Sequence, residues 1–146
     1  MHACMQALRW KIHMALIKAR LEPYLGFLHS TQFGKPSLVC DFQELYRYLI
    51  DDFLIERCKK LHKNDFVLAT EFFMRTRIGK RVFLRNYKAG ELWESLARLF
   101  ERQVEIPRIK VGKKQTIETL FNEEALLFAK YLRHERESWI PRIPSL

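Results

Sequence analysis

The stretch "LEPYLGFLHSTQFGKPSLVCDFQELYRYLIDDF" (residues 21–53) changes character at its middle, and that change sets the fold class. From Leu38 onward, Phe42, Leu45, Leu49 and Phe53 recur at three- and four-residue steps, with Tyr46 and Ile50 widening the same face. This spacing predicts an amphipathic helix. Lys59, Lys60 and His62 place its end, because cations suit the negative pole of a helix C-terminus. The preceding segment, "GFLHSTQFGKPS", holds two glycines, a proline, two serines and a threonine, so it reads as a loop. His29 sits inside that loop.

Upstream, Leu8, Ile12, Leu16 and Ala19 predict a helix from about residue 3 to 21, stopped by Pro23. The N-terminal run "MHACMQALRWKIHMALIKAR" enters helical register at once, which leads us to expect a piece of a longer protein. Downstream, "FFMRTRIGKRVFLRNY" (residues 72–87) groups β-branched and aromatic residues around Gly79 and predicts a short hairpin. Two more helices follow from "AGELWESLARLFERQV" (residues 89–104) and "TIETLFNEEALLFAKYLRHE" (residues 116–135), with Thr116 as the cap of the second. The tail "WIPRIPSL" is too rich in proline to be helical. The expected fold class is mainly α, a single helical domain with one short β-hairpin near residues 72–87.

A chain of 146 residues, 48% of them hydrophobic, can bury one sizeable core and is short for two. Its formal charge of +9 favours a polyanionic partner, with nucleic acid ahead of an anionic membrane surface. Cys4, Cys40 and Cys58 show no metal-type pair spacing, and their odd number does not suit a disulfide framework. A reducing, cytoplasmic setting is the simpler expectation. No apolar run reaches the roughly 18 to 20 residues that a membrane span needs.

At about 100° per residue, Asp41, Glu44, Tyr48, Asp51 and Asp52 share roughly a third of the helix circumference. The expectation is an acidic stripe facing away from the core. It has two readings: a solvated face whose acids favour the helix N-terminus, or a cation site, since clustered carboxylates repel unless a cation offsets them. His29 likewise reads either as a hydrogen-bonded loop residue or as a ligand. A carboxylate and imidazole set suits Mn2+, or Mg2+ with more water. Such an ion can activate a bound water or hydroxyl and neutralise charge on a phosphodiester. His2, His13, His62 and His134 form neither HxxxH nor HExxH, which argues against zinc.

Nine cations between residues 59 and 88 (Lys59, Lys60, Lys63, Arg75, Arg77, Lys80, Arg81, Arg85 and Lys88) face two acids, Asp65 and Glu71. Such a run can follow a phosphate backbone, and Arg75, Arg77, Lys80, Arg81 and Arg85 are the candidate DNA contacts. Arg108, Lys110, Lys113 and Lys114 offer a second track. The interleaved Phe72, Phe73 and Phe83 are read as core residues rather than base-stacking platforms.

The run "LEPYLGFLH", followed by "GKPSLVCDFQELYRYLIDD", resembles the signature of the CRISPR spacer-acquisition integrases, the Cas-one family. There a glycine-phenylalanine-leucine-histidine loop precedes a helix reading aspartate, two residues, acid, then an aromatic-arginine pair and a further aspartate. Tyr46 and Arg47 stand at that pair, and Asp51 or Asp52 near the later aspartate. The similarity extends more loosely through "RVFL", "LARLFERQVEIPRI" and "WIPRIP". The resemblance implies His29 and Glu44 as metal ligands and Asp41 as an acid that shapes the site, these three forming the catalytic set. It further implies Mn2+ or Mg2+ as cofactor and double-stranded DNA, both spacer precursor and repeat array, as substrate. The implied partners are a small ferredoxin-like protein and a second copy in the full-length family.

The family's third ligand is a glutamate on an earlier helix, preceded by a β-domain that forms dimers. Residues 1–21 contain no acid, and Glu22 is the only one before His29. The chain is therefore expected to represent the C-terminal helical domain, without the β-domain or the helix of the first glutamate. Carrying two of three ligands, it should bind metal weakly and show little or no activity alone. Two other classes stay in view: a non-catalytic basic nucleic-acid-binding domain and a protein-interaction module.

Overall fold

The computed structural model describes residues 2–30, 32–73, 76–105 and 114–144. Its helices are α1 (His2–Lys18), α2 (Ser37–Cys58), α3 (Asn86–Glu101) and α4 (Ile117–Leu132). Two antiparallel ladders join them, β1 (Phe66–Phe73) with β2 (Thr76–Leu84) and β3 (Gln103–Glu105) with β4 (Lys114–Thr116). The mainly helical expectation holds. No described helix is long and apolar enough to cross a membrane.

α1 packs on α2 and α4, and α3 on α4. Leu8, Ile12 and Leu16 of α1 meet Phe42, Tyr46, Leu49 and Ile50 of α2 and Leu120, Phe121, Ala125 and Phe128 of α4 in one buried cluster. The apolar face that residues 38–53 predict is thus the face that builds the core. Burial of each such side chain contributes about 1.5–3 kcal/mol, enough to select this helix register over others.

α1 ends three residues before the expected boundary. The Leu21 N–H reaches the Leu16 carbonyl at 3.0 Å and the Arg20 N–H the Ile17 carbonyl at 2.9 Å, with Arg20 at φ 59°. That is a Schellman stop with arginine in the left-handed position that glycine usually fills, so the sequence carries no marker for it. α4 ends the same way at His134, φ 60°, with Glu135 N–H on the Lys130 carbonyl. Its start is as expected: the Thr116 hydroxyl accepts from the Thr119 N–H at 3.1 Å.

The hairpin begins earlier than residues 72–87 suggest, pairing Phe66 with Leu84 and running out to Phe73 opposite Thr76. Gly79 lies within β2, opposite Glu71 beside a bulge at Glu71/Phe72, and not at the turn. "FVLATEFF" lacks clean alternation, and Phe66, Val67 and Leu68, neighbours in sequence, are all exposed. The strands pack chiefly on each other, leaving Phe72 63% and Phe83 41% exposed, so the expectation of core positions for these two rings fails. For Phe73 the backbone alone is described. The end of the third predicted helix is also different: Val104 belongs to β3, where it is buried against the helices.

Candidate functional site

Residues 23–30 lie across the first turns of α2, anchored at both ends. The Pro23 carbonyl accepts the Leu38 N–H at 3.0 Å, supplying a backbone cap where Pro36 offers no side-chain cap. At the other end the buried Ser37 hydroxyl donates to the Ser30 carbonyl at 3.1 Å. Between these anchors the N–H groups of Phe27, Leu28 and His29 converge on Asp41, Phe27 and Leu28 on Oδ2 at 2.6 and 3.0 Å and His29 on Oδ1 at 2.9 Å.

Gly26 makes this approach possible. A Cβ there would stand 2.7 Å from Asp41 Oδ2 and 2.7 Å from Ser37 Cβ, nearer than atoms can pack. The glycine before "FLH" is therefore required by close contact, with no left-handed φ involved.

Asp41 is 0% exposed. It does not lie on the solvent-facing stripe that helical geometry alone predicts, because the loop closes over it. Burial opposes its ionisation, but the Leu28 N–H, the His29 ring and the Phe27 and His29 N–H groups outweigh that and hold its pKa below the usual carboxylate range. An ionised Asp41 accepts from His29 Nδ1 at 2.5 Å. This bond orients the ring and turns Nε2 away from the carboxylate.

Glu44 follows Asp41 by one helical turn, which brings it to the same side of α2. Its carboxylate is exposed and within 3.4 Å of Arg47, whose guanidinium also lies 3.6 Å from Asp51. Arg47 therefore offsets the repulsion between acids that the sequence left unexplained. Among the described residues no hydrogen bond joins His29 to Glu44, and no group of three or more His, Cys, Asp or Glu is arranged to hold a metal. The structure brings His29 and Asp41 into direct contact, whereas Glu44, one helical turn on, pairs with Arg47. One imidazole with an orienting carboxylate and a second carboxylate paired with Arg47 are nitrogen and oxygen donors of the kind that Mn2+ and, more weakly, Mg2+ accept.

The proposed DNA track is only partly described. Arg75, Arg108, Lys110 and Lys113 lie outside the described residues, and Arg77 is described by backbone alone. Arg81 pairs with Glu71 at 2.7 Å, Lys59 with Glu56 at 3.0 Å and Lys88 with Glu91 at 2.8 Å. Arg85 donates through Nε to the Asn64 carbonyl at 2.8 Å. Lys60, Lys63 and Lys80 are exposed and form no ion pair among the described residues.

One polar cluster escaped the sequence reading. Glu124 on α4 is 0% exposed and accepts from Trp139 Nε1 at 3.1 Å and from the Arg142 N–H and Nε, both at 3.0 Å. Its signal was legible, since Glu124 falls in the apolar register of Leu120, Phe121 and Phe128, and a buried acid requires partners.

Comparison with known proteins matches residues 5–89 to the family model for CRISPR associated protein Cas1. The CRISPR-associated endonuclease Cas1 of Leptospira interrogans is 30% identical over 125 residues, covering 84% of this chain and 45% of that protein. A CRISPR-associated endonuclease Cas1 of Chlorobaculum tepidum is 28% identical over 134 residues, covering 89% of this chain and 36% of that protein. Among solved structures, a casposase bound to integration product superposes with a TM-score of 0.73 at 20% identity, over 92% of this chain and 35% of that one. A CAS1 protein from Thermotoga maritima gives 0.67 at 16% identity, over 90% of this chain and 39% of that one. The chain spans less than half the length of these curated relatives.

Proposed function

The chain belongs to the Cas1 family of CRISPR-associated proteins, and from that premise we propose that it is the helical part of a metal-dependent DNA integrase and endonuclease acting in spacer acquisition. The observation that carries this reading is the His29–Asp41 pair: a buried, ionised carboxylate fixes an imidazole with Nε2 turned away from it, one turn from the exposed Glu44. In this reading His29 and the Glu44 carboxylate would hold Mn2+ or Mg2+, and Asp41 orients the histidine. When bound, the ion supplies charge neutralisation and activates a hydroxyl for phosphodiester displacement.

The residues of the chain divide the remaining work. Asp41 holds Nδ1, so the imidazole presents Nε2 in one direction. Arg47, between Glu44 and Asp51, offsets the charge of both carboxylates. Lys60, Lys63, Lys80 and the arginines of the β1–β2 hairpin bind backbone phosphates of double-stranded DNA, the spacer precursor and the repeat array. A small ferredoxin-like partner and a second copy complete the assembly, in the cytoplasm of a prokaryote. With two of the three ligands expected for the family, these 146 residues alone turn over little or no DNA.

The test is Mn2+ binding followed by electron paramagnetic resonance at fixed ionic strength. His29→Ala and Glu44→Gln should each weaken binding by about tenfold or more. A second reading, a non-catalytic basic domain that binds nucleic acid, is favoured by the lack of a three-ligand cluster among the described residues. It predicts salt-sensitive DNA binding that ignores chelators and survives both substitutions, and Mn2+ binding indifferent to both would select it.

A further inference from the structure

The C-terminal segment after α4 is pinned to the two helices that flank the site. Tyr46 and Tyr48 of α2 donate their hydroxyls to the carbonyls of Arg142 and Pro144. From α4, Glu124 accepts from Trp139 and Arg142, and Glu123 lies 3.3 Å from Arg142 Nη1. Burial lifts the phenol pKa of both tyrosines, with the Glu124 charge next for Tyr46 and Asp52 for Tyr48, which is pushed up to about 12. Both hydroxyls therefore stay protonated donors. Residues 137–144, without helix or strand, are thus tied to α2 and α4 at Trp139, Arg142 and Pro144.

What this strap holds in place is the indole of Trp139. It stacks on Phe42 at 5.6 Å and 23°, lies 4.5 Å from Phe128 and meets the Phe27 ring edge-on at 6.1 Å and 84°. Phe27 also contacts Phe128 at 5.4 Å. The indole thus touches both chain segments that make the His29–Asp41 contact. Phe42 follows Asp41 directly, and Phe27 is the loop residue whose N–H donates to Asp41 Oδ2 at 2.6 Å. Loop 23–30 has anchors at its ends, but the Phe27 ring is half exposed and rests on α4 and the strap.

We infer that Trp139, fixed by Glu124 and the strap, is a positioning residue that sets the loop carrying His29, acting through Phe27 and Phe42. Its consequence for metal binding rests on the function proposed above, whereas its consequence for loop geometry does not. Removing the indole leaves Phe27 with one aromatic wall in place of two. The three N–H bonds to Asp41 then open more often, and the imidazole loses its fixed direction.

Trp139→Ala and Trp139→Phe are compared with wild type and with Leu16→Ala, a core truncation in α1 that leaves all four rings in place. Amide hydrogen exchange reads the loop, and Mn2+ resonance reads the site. In Trp139→Ala the Phe27, Leu28 and His29 amides should exchange about tenfold faster relative to α1 amides, a local opening. Mn2+ affinity should fall by about tenfold, the scale of a lost outer-shell support. Trp139→Phe, which keeps a ring against Phe27, should recover most of both, and Leu16→Ala should change neither ratio. Should Trp139→Ala not fold, Trp139→Leu replaces it. Loop amides as protected as in wild type in a folded Trp139 variant without a ring would overturn the inference. Loosened amides in a chain whose wild type binds no Mn2+ would uphold the positioning role and overturn the metal reading.

Discussion

Asp41 is a buried carboxylate that remains charged because the backbone surrounds it with donors, and everything at the site depends on how closely the chain can approach it. Gly26 sets that limit. In Gly26→Ala the new methyl would meet Asp41 Oδ2 and Ser37 Cβ at 2.7 Å, so the loop must lift from α2. Overpacking of this kind costs about 1–3 kcal/mol. The expected outcome in urea unfolding is a lower midpoint with an unchanged slope. The His29 amide should lose its exchange protection in the same variant. Unaltered stability would mean that the loop has slack which the close contact denies. The motif "GFLH" made His29 and Gly26 conspicuous in the sequence. That the aspartate twelve positions later is buried was not legible, since a helical wheel places Asp41 beside acids that do face solvent.

Among the elements, the join between α2 and the first ladder depends on another buried acid. Asp65 ends a short 3-10 turn, Lys63–Asp65, and its carboxylate accepts from the His62 N–H at 2.8 Å and the Tyr87 hydroxyl at 3.0 Å. It thereby ties the end of the α2 connection to the first turn of α3. The His62 N–H bond, partly opposed by desolvation and helped by Tyr87, holds the Asp65 pKa below the usual range. A depressed carboxylate pKa stabilises the fold above the unfolded value near 4 and loses that contribution as pH falls through the folded value. Stability should therefore decline below about pH 4, with a smaller decline in Asp65→Asn. Equal acid sensitivity in both proteins would assign the decline to other carboxylates. The helix faces here were readable from periodicity, but the β3–β4 ladder was not, because three-residue strands carry too little pattern.

For the molecule as a whole, a formal charge of +9 sets the long-range field whatever the details of the site. Lys63 and Lys80 are exposed and form no ion pair among the described residues. If they contact phosphates, each releases a counterion on binding. The Lys63→Ala, Lys80→Ala double variant should then reduce the slope of log K against log salt by about 1.8 for duplex DNA. An unchanged slope would move the DNA path away from Lys63 and Lys80. Arg81, Lys59 and Lys88 already have acidic partners, so their substitution should alter the slope less.

The sequence by itself determined the helical class, the core face of α2, the positive field and the pairing of a loop histidine with a downstream acidic helix. These follow from period, composition and a local motif, all of which act over a few residues. Only the tertiary structure decided that Asp41 is covered by the loop, that Arg47 bridges Glu44 and Asp51, and that Glu124 holds Trp139 and Arg142 of the tail. It also decided that the hairpin stands away from the core with Phe72 and Phe83 in solvent. The physical reason is common to all four. Burial and partner choice depend on which distant segments pack together, and a one-dimensional pattern records a residue's own preference without recording what comes to cover it.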